Sequence, residues 1–99
     1  MHTIVVTDHF LRELKPYWKK YPHLRQDVTQ TLEQFSPLTA ISLGSKLFKV
    51  RLHARDLSKG KSSSFRMIVL FLEVDRILTP ITIYYKGDSS TLSRQEIKY

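Results

Sequence analysis

From Phe48 to Ala54 the chain alternates: Phe48, Val50, Leu52 and Ala54 are apolar, whereas Lys49, Arg51 and His53 are not. Successive side chains on a β-strand point to opposite faces. The pattern over Leu47–Ala54 therefore fits a strand with one face on a core and the other in water. The wet face is a row of two cations and an imidazole. A polar loop, Arg55–Ser64, contains Gly60 and leads to Phe65–Val74, a long apolar run that suits a central strand. Glu73-Val74-Asp75-Arg76 reads as a tight turn. In the last strand Ile77, Ile81, Ile83 and Tyr85 alternate with Leu78, Pro80, Thr82, Tyr84 and Lys86. Proline has no N–H to give a ladder, so a bulge or an unpaired position is expected at Pro80. Whether Tyr84 and Lys86 share the face of Lys49 and Arg51 depends on register, which the sequence leaves open.

Ahead of these strands, His2–Thr7 reads as a short β-branched first strand and Asp8 as a helix cap. Phe10, Leu11, Leu14, Tyr17, Trp18 and Tyr21 recur at helical spacing, which points to core packing rather than a base-stacking stripe. Pro16 inside this helix should kink it or cost one hydrogen bond. After Tyr21-Pro22, the spacing of Leu24, Val28, Leu32 and Phe35 predicts a second helix, ended by Ser36-Pro37. Residues 38–45 read as a connection with a turn at Gly44. Ser93 and Glu96 have the spacing of a capping box and predict a final helical stub. The expected fold is α+β in the order β-α-α-β-β-β, a helical hairpin packed on one face of an antiparallel four-stranded sheet. It is read as a single domain over residues 1–99.

The charge is concentrated. Of the formal +7, nearly all sits between Lys46 and Arg66, which hold Lys46, Lys49, Arg51, Arg55, Lys59, Lys61 and Arg66 against one acid, Asp56. Clustered positive charge on a small domain points to a polyanionic partner, since each neutralised phosphate releases counterions. With no cysteine, disulfides, thiolate ligands and a cysteine nucleophile are excluded. The histidines, His2, His9, His23 and His53, lack ligand spacing, so no metal site is expected. Gly60-Lys61-Ser62 resembles the end of a phosphate-binding loop, but Arg55 stands where that motif needs glycine. Neither a signal peptide nor a membrane span is expected.

Three segments together resemble the RelE/ParE superfamily of bacterial toxins, in particular its RelE/HigB-like branch. They are Phe48-Lys49-Val50-Arg51-Leu52, then Gly60-Lys61-Ser62-Ser63-Ser64-Phe65-Arg66-Met67-Ile68, then Thr82-Ile83-Tyr84-Tyr85-Lys86-Gly87-Asp88. Lys19-Lys20-Tyr21-Pro22 between the helices adds to the likeness. The resemblance implies the toxin of a type II toxin–antitoxin pair, a cytoplasmic, metal-independent endoribonuclease that cuts mRNA on the ribosome without a cofactor. Its implied partners are a cognate antitoxin, in a hetero-oligomer, and mRNA with ribosomal RNA. The implied chemistry is attack of a ribose 2′-hydroxyl on the adjacent phosphate, which needs a base, cations for the growing charge and an acid.

By the same resemblance Lys49, Arg51 and Arg66 are catalytic candidates, and Lys86 joins them as a substitute beside Gly87 and Asp88, where some relatives place a catalytic arginine. Lysine fills the role of base where neighbouring positive charges disfavour its protonated form, and Arg51 and Arg66 would clamp the phosphate. Arg55, Lys59, Lys61, His53 and Tyr84 are candidates for nucleic-acid contact. The chain departs from its relatives at Ser63 and Ser64, where glycines are common, at Phe65, where tyrosine is common, and at Gly87 and Asp88. An alternative is the ParE-type activity, inhibition of DNA gyrase. Another is a non-catalytic module that binds nucleic acid or antitoxin.

Overall fold

A computed structural model describes residues 2–57 and 64–86. The elements run β1 (Thr3–Ile4), α1 (Asp8–Lys20), α2 (Leu24–Glu33), β2 (Ile41–Gly44), β3 (Leu47–Leu52), β4 (Ser64–Leu72) and β5 (Ile77–Lys86). The strands form one sheet in the order β1-β5-β4-β3-β2. The α+β layering is as expected from the sequence, but the sheet is five-stranded and mixed, because β1 runs parallel to β5. The expected final helix lies outside the described residues.

Thr7, rather than Asp8, caps α1: its hydroxyl accepts from the Phe10 N–H at 3.2 Å, and Asp8 is the first helical residue. Pro16 is accommodated inside α1 at an exposed position. Phe10 and Leu14 of α1 and Leu24, Val28 and Leu32 of α2 are buried against Leu52, Phe65, Met67, Val69, Leu78 and Ile83 of the sheet. Arg25 of α2 lies over the Trp18 ring at 4.6 Å, tying the helices together. Two aromatic clusters hold the ends of this core. Phe65, fully buried, meets Tyr17, Tyr21 and Tyr85 edge-on at 5.0, 5.8 and 5.3 Å. At the other end Phe35 and Phe71 pack together and against His2, whose Nε2 lies 3.2 Å from the Leu32 carbonyl.

Several boundaries differ from the sequence reading. β1 has two residues, not six, because only Thr3 and Ile4 pair in the ladder, with Ile77 and Leu78; the Val5 N–H makes the last bond, to the Leu78 carbonyl at 2.9 Å. α2 ends at Glu33, and Phe35 is buried just beyond it. The expected connection over residues 38–45 contains strand β2, which pairs with β3 through Ile41↔Lys49 and Ser42↔Phe48. Ser45 and Lys46, at φ 53° and 68°, form the two-residue turn between them. β3 stops at Leu52, leaving His53 beyond the ladder.

Pro80 behaves as its chemistry requires. Val69 pairs with Pro80 and Ile68 with Thr82, so Ile81 is an extra residue in β5. That bulge reverses the faces. Before it, Leu78 and Pro80 point into the core; after it, Ile83 does, and the exposed Tyr85 still lays its ring against Phe65 on that side. Where β1 ends, β5 has a free edge, and Glu13 of α1 covers it. Its Oε1 accepts from the Thr82 hydroxyl at 2.7 Å and from the Ile83 N–H at 3.4 Å.

Candidate active site

The reversal in β5 assembles the site. Arg51 pairs with Arg66, and Arg66 pairs with Tyr84. The three residues form one row across β3, β4 and β5, on the face opposite the helices. Adjacent strands lie about 4.8 Å apart, so the row is about 10 Å long. Lys49 lies on the same face two residues before Arg51, opposite Ile68, and Lys86 lies two residues beyond Tyr84, opposite Ser64. No described element covers this face. With uninterrupted alternation, Tyr84 and Lys86 would share the side of Leu78 and Pro80, which is the core.

Arg66 is held in place. Its Nη1 donates to the hydroxyl of Ser64, which is fully buried, and to the Phe65 carbonyl at 3.4 Å. Among the described residues, its other guanidinium donors and the head groups of Lys49, Arg51 and Lys86 have no hydrogen-bond partner or counter-ion. Cations gathered in one patch attract phosphate-bearing ligands in general. Tyr84, 40% exposed, adds a hydroxyl and a ring in the same row. His53 is exposed beyond the end of β3.

Arg55 sits apart from this row. Its Nε donates to Asp27 Oδ1 at 2.7 Å, its backbone N–H to Oδ2 at 3.0 Å, and its Nη2 to Gln26 Oε1 at 2.8 Å. Asp27 is 6% exposed, so a buried carboxylate of α2 anchors the segment after β3. A second carboxylate reinforces it. Asp56 accepts from the backbone N–H of His23 at 2.9 Å and from His23 Nδ1 at 3.0 Å. The imidazole hydrogen bond first, then the backbone one, holds the Asp56 carboxyl below its usual range, with the charges of His23 and Arg55 in support. The sequence reading missed this double anchor. Its signal was Asp56 itself, the one acid in the basic stretch. Lys59 and Lys61 lie outside the described residues, as do Gly87 and Asp88. Among the described residues, no three His, Cys, Asp or Glu side chains gather as metal ligands. No described helix is long and apolar enough to cross a membrane.

No family model matches this chain, and none of the curated proteins does. Among solved structures, it is similar to a mutant of the E. coli toxin RelE with two arginine-to-alanine substitutions, in the free state. The two align over 98% of this chain and 95% of that one, with a TM-score of 0.55 and 12% identity. The likeness shows a RelE-like fold.

Proposed function

We propose that this RelE-like protein is the toxin of a type II toxin–antitoxin pair, a cytoplasmic endoribonuclease that cuts mRNA on the ribosome. The observation that carries the reading is the row Arg51–Arg66–Tyr84, flanked by Lys49 and Lys86, on a sheet face that no described element covers. In the proposed reaction Lys49 takes the proton of a ribose 2′-hydroxyl. The O2′–P bond forms, and Arg51 and Arg66 bear the negative charge that grows on the non-bridging oxygens. The P–O5′ bond breaks, and the Tyr84 hydroxyl gives the departing oxygen its proton. The products are a 2′,3′-cyclic phosphate and a 5′-hydroxyl. Lys86 adds positive charge at the same end, and no metal or cofactor takes part. The exposed face also offers an antitoxin a surface on which to block the row.

Primer-extension mapping of transcripts after brief induction tests this reading. Discrete cuts that require translating ribosomes are expected. Intact mRNA together with a DNA-damage response would replace it with gyrase inhibition. Salt-sensitive RNA binding without cuts would replace it with a non-catalytic module.

A further inference from the structure

β2 begins at Ile41, opposite Lys49, so the outer edge of β3 has no strand partner among the described residues from Val50 to Leu52, and a notch of about 360 Å³ opens between that edge and the end of α2. The volume lies in the range that holds a small ligand. Phe35, Ala40 and Val50 supply apolar lining, and Gln34, Lys49 and Arg51 polar and charged lining. Two hydroxyls in its wall are already committed: Thr31 donates to the Asp27 carbonyl at 2.7 Å and Thr39 to the Ser36 carbonyl at 3.3 Å. The side-chain amide of Gln34 has no hydrogen-bond partner among the described residues. The notch therefore joins apolar lining, the donor–acceptor pair of the Gln34 amide beside the Ser36 hydroxyl, and two of the proposed phosphate-binding residues.

That combination matches one unpaired nucleotide. Single-stranded RNA is recognised through splayed bases laid on side chains and hydrogen-bonded along their edges. An amide offers a donor beside an acceptor, which fits the N6/N7 edge of adenine; guanine shows two acceptors there and suits arginine. A purine also fills more of the notch than a pyrimidine. We infer that the notch holds the base of an adenine nucleotide flanking the cleaved phosphate, with Gln34 reading its edge. The inference rests on the ribonuclease reading for its place in the reaction, but the binding it describes can be measured without cleavage.

Two measurements test it. Cut sites in a randomised RNA pool are mapped for the wild type, Gln34→Ala and Gln34→Arg. The wild type should enrich adenine at least fivefold at one fixed position beside the cut. Gln34→Ala should lose that enrichment, and Gln34→Arg should move it to guanine. Amide signals of the wild type are also followed against a short oligonucleotide containing adenine, with 2′-O-methyl groups to prevent cleavage. The side-chain amide of Gln34 and the backbone amide of Ala40 should shift, and an all-uridine oligonucleotide should move them far less. Cleavage with the same preference in all three proteins overturns the inference. So does oligonucleotide binding that leaves Gln34 and Ala40 unmoved, or the absence of any binding. If RNA is not cut but the adenine oligonucleotide shifts these signals, the notch assignment stands and the ribonuclease reading falls.

Discussion

Arg66 has two duties that can be separated by mutation. Its outward donors face the proposed phosphate site, while its Nη1 satisfies the buried Ser64 hydroxyl. Arg66→Ala should lower cleavage about 100-fold or more, the scale of losing a donor to developing charge. It should also cost about 1–3 kcal/mol of stability, because Ser64 is left buried without a partner. Adding Ser64→Ala should recover much of the stability and none of the activity, as read by denaturant unfolding beside cleavage assays. Asp56 makes a different prediction. Its carboxyl titrates below its usual range in the folded state, so the stabilisation is complete above the unfolded value of about 3.9 and is lost as pH falls through the lower folded value. Wild type should melt above Asp56→Asn at pH 6, and the gap should close in strong acid. A gap independent of pH would remove the charge of Asp56 from the anchor.

Among the elements, the β2–β3 hairpin and the bulge in β5 show what a sequence exposes and hides. The alternation of Phe48–Leu52 and the apolar run of β4 were legible because burial wrote them into residue type. β2 was not, since all four of its residues are exposed and pairing alone makes it a strand. Its turn lacks the usual asparagine–glycine signal: Ser45 and Lys46 take positive φ without being glycine. Ser45→Asn with Lys46→Gly should therefore stabilise the fold by about 1 kcal/mol, checked by the urea midpoint. Pro80 announced a bulge, but which residue would be extra, and hence which face Tyr84 and Lys86 would take, was a matter of register. Lys49, Arg51 and Arg66 could be chosen from sequence, while their alignment with Tyr84 required the paired strands. The anchoring role of Arg55 was hidden because its partner Asp27 lies on a distant helix.

Among the described residues, the helices and aromatic clusters stand behind the sheet, and the cations of the proposed site stand in front. Affinity for single-stranded RNA should then fall steeply with salt, by a slope of about 0.7 in log–log form for each phosphate neutralised. Arg51→Ala should reduce that slope by about 0.7, and Arg55→Ala, whose charge is already paired, should change it far less. The parallel pairing of β1 with β5 carries a consequence for the newly made chain. Thr3 has its partner at Ile77, so the first strand emerges long before the residues that receive it. The sheet cannot be completed, nor Tyr84 brought beside Arg66, until the last strand has left the ribosome. Such long-range closure slows folding and leaves early segments waiting. On the proposed ribonuclease reading, the row that would cut RNA is assembled only after β5 has been made.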